Sequence, residues 1–107
     1  MKQEPLVTIY IPTHNRADFL TDCINSCRNQ SYRNIEIIIV DDCSTDNTPE
    51  LCQQFLQAES RLRYIRNDQT LGAPASRNRA INEANGEFVT GLDDDDSMQP
   101  WRIQDFI

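Results

Sequence analysis

The sequence predicts an α/β fold, a parallel sheet of about four strands in the order β-α-β-α-β-α-β with helices on its faces. Three observations carry this. Residues 6–11 and 35–40 are β-branched, almost wholly apolar runs, too hydrophobic for half-exposed strands. Each is followed by a polar turn and then by apolar residues at helical spacing. The alternation then repeats along the chain, which implies a parallel sheet buried on both sides.

In chain order, Pro12 is expected to stop the first strand, and Thr13-His14-Asn15-Arg16 forms the polar turn after it. Asn15 is the expected N-cap, with Asp18 inside the first helical turn. Phe19, Leu20, Cys23, Ile24 and Cys27 then share one helix face, and the polar stretch 29–34 ends that helix. The second strand, 35–40, runs into Asp41-Asp42-Cys43-Ser44-Thr45-Asp46-Asn47, residues that favour turns by bonding to their own backbone. Thr48-Pro49 opens a helix with Leu51, Cys52, Phe55 and Leu56 as its buried stripe. Residues 62–66 alternate and are more polar, as suits a strand nearer the sheet edge. A loop over 67–72 leads to a helix from about Pro74 to Asn85, with Gly86 as its stop. Residues 87–92 form the fourth strand, and Pro100-Trp101 open a last helix before Ile107.

The 107 residues suit one domain, 1–107, or a piece of a larger one. An apolar fraction of 38% with 25% charged residues is that of a globular chain. Seventeen acidic against ten basic residues, a net charge of −7, argue against a nucleic-acid binder. Cys23, Cys27, Cys43 and Cys52 form no Cys-x-x-Cys pair, and His14 is the single histidine, so a zinc site is disfavoured. Free thiols, with neither a signal peptide nor a transmembrane run in the sequence, favour the cytoplasm.

Right-handed crossovers place all four strand carboxyl ends on one edge. Those ends carry 12–16, 41–46, 67–72 and Asp93-Asp94-Asp95-Asp96. Taken alone, the aspartate run is a solvated acidic loop, in which neighbouring charges repel by about 1 kcal/mol per pair at ~4 Å in water. Placed across a ligand crevice from Asp42 it reads differently. Hard carboxylates around a crevice suit Mg²⁺ or Mn²⁺, which fill their shells with substrate phosphates. The three glycines, Gly72, Gly86 and Gly91, form neither a dinucleotide fingerprint nor a P-loop. No Gly-x-Ser-x-Gly is present, and neither acidic cluster has the spacing of a calcium loop.

Several stretches resemble the family 2 glycosyltransferases of GT-A fold, a Rossmann-like architecture. They are Val7 through Arg16, Asn29-Gln30-Ser31-Tyr32, Glu36 through Asp42, Ser44 through Thr48, Leu71 through Asn78, Gly86-Glu87-Phe88, and Leu92 through Asp96 with Pro100. They cover nearly the whole chain in order. The resemblance implies the amino-terminal, donor-binding part of an enzyme moving a sugar from a nucleoside-diphosphate sugar, with UDP favoured, to a glycan or lipid-linked acceptor, with inversion. Pro12, Thr13, His14, Asn15 and Asp42 would hold the nucleotide, with Asp41 the weaker candidate beside Asp42. The Asp-x-Asp motif maps to Asp93-Asp94-Asp95. Asp95 is then the expected Mn²⁺ or Mg²⁺ ligand with Asp93, Asp93 and Asp94 also lie near ribose and metal waters, and Asp96 competes with Asp95. Arg77 stands where the family has an arginine near the donor, though a surface charge is the competing reading. His14 replaces a common tyrosine, which makes its contribution pH-dependent. No catalytic group is expected within the chain. The general base and acceptor pocket are expected beyond Ile107, leaving the fold truncated there, and the protein is placed in the cytoplasm, peripheral at the inner membrane face. A non-catalytic nucleotide-sugar-binding module is the alternative. A sugar nucleotidyltransferase fits less well, because Pro12-Thr13-His14-Asn15 is not a glycine-rich phosphate loop.

Overall fold

The computed structural model describes residues 4–107. Its elements are β1 (Val7–Thr13), α1 (Ala17–Arg28), β2 (Ile35–Asp41), α2 (Thr48–Ala58), β3 (Leu62–Arg66), α3 (Ala73–Glu83), β4 (Phe88–Gly91) and α4 (Arg102–Phe106). The four strands form one sheet in the order β3-β2-β1-β4, and every pairing is parallel. The expected α/β architecture is present, with β3 at an edge. Chain order reverses at β1, which has β2 on one side and β4 on the other.

Period-2 alternation sorts the strands between two cores. Val7, Ile9, Ile11, Ile35, Ile37 and Ile39 face α1 and α2, where Leu20, Cys23, Ile24, Cys27, Cys52 and Phe55 meet them. Met98 and Ile103 close the same core. Ile38 and Val40 point the other way, onto Ala80 of α3, with Tyr10 and Ile65 beside them. All seven residues of β2 are buried. Each isoleucine there contributes roughly 1.5–3 kcal/mol through burial, which explains why the most apolar run lies inside the sheet.

Three local expectations change. Pro12 lies inside β1 rather than ending it. Its side of the backbone is that of Tyr10, whose carbonyl accepts from Leu92 N of the β4 side. The β4 ladder stops at Tyr10↔Gly91, so the missing N–H of Pro12 breaks no pairing. Phe19 is 53% exposed, because it sits about a right angle from the centre of the α1 buried stripe at 100° per residue. The Arg16 guanidinium packs over its ring at 5.7 Å. Gly86 does not end α3, which stops at Glu83 with Ala84 extended. A Cβ on Gly86 would lie 2.6 Å from the Thr8 backbone nitrogen, so close strand approach requires the glycine.

Away from the strand ends, Glu59 ties α1 to the start of β3. It accepts from Arg61 Nε at 2.8 Å and Arg28 Nε at 3.3 Å. The Arg61 hydrogen bond, further helped by its charge and by Arg28, overcomes burial and holds the Glu59 carboxyl at about 2 against an ordinary 4.5. A lowered carboxyl stabilises the fold above its unfolded value, and this contribution fades as pH falls through the folded value. Glu59→Gln is therefore expected to lose about 1–3 kcal/mol at pH 7, with the difference from wild type shrinking between about pH 4.5 and 2. Urea melts at pH 7 and pH 3 measure this, and an equal deficit at both would refute it.

Candidate functional site

The loops after β1 and β2 are stitched together before any ligand arrives. Asn15 adopts a left-handed φ of 53° and Cys43 one of 60°. The Asn15 side-chain oxygen accepts from Thr45 N at 2.7 Å and Asp46 N at 3.2 Å, and Asn15 N donates to Ser44 Oγ at 2.9 Å. Asn15 is thus not the cap of α1. Asp46 takes that role from the neighbouring loop, accepting from Ala17 N at 3.2 Å and, with its other oxygen, from Thr48 N at 3.0 Å. One carboxylate serves both helix starts, where exposed N–H groups favour negative charge.

Asp42 is 6% exposed at the end of β2. Its Oδ1 accepts from Asn67 Nδ2 and Leu71 N, each at 2.8 Å, and Oδ2 accepts from Gly72 N at 2.9 Å. Burial pushes this carboxyl up, but those donors and nearby His14 outweigh burial and hold it below the ordinary aspartate value. An ionised carboxylate has about four acceptor positions, so one remains for a ligand. Asp42 lines a small cleft of about 110 Å³ with Pro12, Thr13, His14, Ala73 and Ser76. His14 Nδ1 donates to the Asp42 carbonyl at 2.7 Å, leaving the ring exposed at the mouth.

Asp41 is placed differently. It is fully buried, accepting from Ser44 N at 2.9 Å, Arg66 Nη1 at 3.0 Å and the Tyr64 hydroxyl. These partners commit its carboxylate to the β2–β3 connection. It lines neither cleft.

A larger cleft of about 400 Å³ adjoins the first, sharing Pro12 and Ala73. Tyr10, Pro74, Arg77, Gly91, Leu92 and Asp93 complete it, over the carboxyl ends of β1 and β4 where strand order reverses. Gly91 has a stated reason: a Cβ there would lie 2.6 Å from the Tyr10 ring, which forms the cleft wall. Arg77 stands exposed on this cleft.

The acidic run divides. Asp93, Asp95 and Asp96 bring carboxylate oxygens within 4.8 Å of one another. Asp94 turns inward, where its Oδ2 accepts from the Thr13 hydroxyl at 2.9 Å. Burial raises the Asp94 carboxyl, Thr13 and Arg16 counter in part, and the charges of Asp95 and Asp93 push it further up. Arg16 Nη1 lies 3.5 Å from Asp95 Oδ2, and the buried Cys23 thiol donates to the Asp93 carbonyl at 3.4 Å. Three exposed carboxylates are hard oxygen donors with room for water and phosphate, a set that fits Mg²⁺ or Mn²⁺ and not a softer ion. Asp93, Asp95 and Asp96 come together, while Asp94 is set apart from them. Asp46, Asn67, Ser76 and Tyr10 were not singled out by sequence reasoning. Only Asp46 had a local signal, standing just before Asn47-Thr48-Pro49 at a helix start.

The profile of glycosyl transferase family 2 matches residues 8–107. The chain is 48% identical, over its whole length, to WcaA of Escherichia coli, which is named for colanic acid biosynthesis, and it spans 38% of WcaA. Among solved structures it resembles S. aureus TarS 1–349 in complex with UDP-GlcNAc, with a TM-score of 0.87 and 30% identity over 94% of this chain and 29% of TarS. It also resembles the mannosyltransferase PcManGT of Pyrobaculum calidifontis, in complex with GDP-Man and Mn²⁺, with a TM-score of 0.81 and 28% identity over 87% of this chain and 28% of that one. The sheet is that of the GT-A fold. Among the described residues, no helix is long and apolar enough to cross a membrane. Because the family profile runs through residues 8–107, nearly the whole chain, the chain belongs to glycosyl transferase family 2.

Proposed function

We propose that this chain is the donor-binding part of a metal-dependent, inverting glycosyltransferase that builds cell-surface polysaccharide. It would work in the cytoplasm at the inner membrane face, on a glycan or lipid-linked acceptor. The observation that carries the reading is that Asp42 lines a cleft sharing Pro12 and Ala73 with a larger one, and that Asp93 of the larger cleft groups with Asp95 and Asp96. Likeness to chains that hold UDP-GlcNAc, or GDP-Man with Mn²⁺, supports it.

The base would enter the smaller cleft and donate an N–H to Asp42, packed between Pro12 and the His14 ring. Thr13 and the Asn15 turn would shape the wall, while ribose passes Asp93 and Asp94. Arg77 would meet the sugar phosphate from the rim of the larger cleft. Asp93 and Asp95, with Asp96 beside them, would hold Mn²⁺ or Mg²⁺, which when bound supplies positive charge to a leaving nucleoside diphosphate. Transfer also needs a general base to take the proton of the acceptor hydroxyl. We place that base outside these residues, so the chain by itself binds donor and does not transfer sugar.

Calorimetry with UDP, GDP and dTDP, each with and without Mn²⁺, tests this. UDP is expected to bind best and more tightly with Mn²⁺. No metal-dependent binding of any of the three by the folded chain would refute the proposal.

A further inference from the structure

Asp42 is held by no residue of its own strand or loop. All three donors to its carboxylate come from the connection between β3 and α3, and Asn67 is the one side chain among them. Asn67 is 1% exposed and its amide is bonded at both ends. Its Nδ2 donates to Asp42 Oδ1 at 2.8 Å and to Ser76 Oγ at 3.1 Å. Its Oδ1 accepts from Arg79 Nη1 at 2.7 Å, and the same nitrogen donates to the Arg66 carbonyl at 3.1 Å.

A primary amide packs almost identically in its two orientations, and only its partners distinguish them. A guanidinium has donors and no acceptor, so Arg79 accommodates only the oxygen end of Asn67. The NH₂ end is thereby driven onto Asp42. Flipped, the amide would set oxygen against carboxylate and NH₂ against guanidinium, unfavourable at both ends. The charge on Arg79 also polarises the amide, which strengthens what Asn67 donates.

We infer that Arg79, acting through Asn67, is a positioning residue for Asp42 and sets the base selectivity of the smaller cleft. The inference rests on Asp42 being the base acceptor. A carboxylate with one free, fixed acceptor position pairs with the N3–H of uracil. Cytosine presents an acceptor at N3, so two acceptors would meet. That mismatch discriminates only while the carboxylate cannot turn away and its other bonds stay made. The lowered Asp42 carboxyl is consistent with donors fixed in this way, since Asn67 is among those that oppose burial.

The test is the ratio of UDP to CDP affinity at saturating Mn²⁺, measured by calorimetry on the full chain. Wild type is expected to favour UDP at least about tenfold, one hydrogen-bond mismatch in a closed site. Arg79→Met keeps the stem of this exposed side chain and removes its donors. It is expected to reduce the ratio about fivefold to tenfold, and to move the acid limb of UDP binding to higher pH. Arg79→Lys, which restores a charged donor, should recover part of the ratio. Should the Met variant unfold, the Lys variant carries the test, with a ratio between wild type and unity expected. Arg33→Met, a remote loss of one positive charge, should leave the ratio unchanged. If wild type binds UDP and CDP alike, the role given to Asp42 fails. If wild type discriminates and the folded Arg79 variants discriminate equally well, the inference fails and that role stands.

Discussion

Asp95→Ala is expected to lower UDP affinity in saturating Mn²⁺ by tenfold or more, since even outer partners of a metal site cost about 10–100-fold when removed. Without metal, the affinities of variant and wild type should be close. The reason lies in how the run folds. Asp95 shares its oxygens with Asp93 and Asp96 within 4.8 Å, and Arg16 already lies 3.5 Å from it as a counter-charge. Asp94 spends one oxygen on the Thr13 hydroxyl, so Asp94→Asn should change the metal dependence far less. Titration of bound Mn²⁺ by electron paramagnetic resonance, beside calorimetry with UDP, reads both quantities. Unchanged Mn²⁺ affinity for Asp95→Ala, with a loss for Asp96→Ala, would transfer the role to Asp96.

The second large effect belongs to Asp42→Asn. An amide of the same size offers one oxygen where three donors converge, the Asn67 amide buried and the Leu71 and Gly72 N–H groups partly so. At least one N–H is left unpaired, and the new NH₂ faces other donors. An orphaned buried donor costs about 1–3 kcal/mol. Stability at pH 7 should fall by that much, and UDP affinity by about tenfold or more because the base acceptor is lost. The sign with pH follows from the lowered folded value of Asp42. Its contribution is present above the unfolded aspartate value, about 3.9, and is lost as pH falls below it. The stability gap between wild type and variant should therefore narrow at pH 3, which urea melts at the two pH values would measure. A gap of the same size at both would show that shape rather than charge holds the loop.

The element order and the strand-end location of the chemistry were legible because both depend on local composition. Residues 35–40 are so apolar that only a strand buried on both faces accommodates them, and all seven residues of β2 are buried. Once strands alternate with helices and pair in parallel, residues 12–16, 41–46, 67–72 and 93–96 come to one edge. The α1 stripe was read correctly at Leu20, Cys23, Ile24 and Cys27, and too broadly at Phe19, where a rim position is hard to tell from a core position by periodicity.

Other features needed the folded chain. Asn15 and Asp46 are both good caps in isolation, yet Asp46 holds the α1 start from a loop 29 residues away. Local propensity had no means to rank a donor and acceptor brought together by packing. Asp41 and Asp42 are adjacent and chemically identical. Where β2 ends, one side chain turns toward Tyr64 and Arg66 and the other toward the cleft, so strand alternation assigns them different work. Asp94 parts from its neighbours for a similar reason, because Thr13, 81 residues earlier, supplies its hydroxyl.

By itself the sequence determined the architecture, the family and the sheet edge at which carboxylates gather, since each follows from apolar periodicity and the order of motifs. The tertiary structure decided which carboxylate faces which way. That choice rests on hydrogen bonds between residues far apart in the chain, such as Arg79 through Asn67 to Asp42. Their geometry exists only after β3, α3 and the end of β2 have packed together.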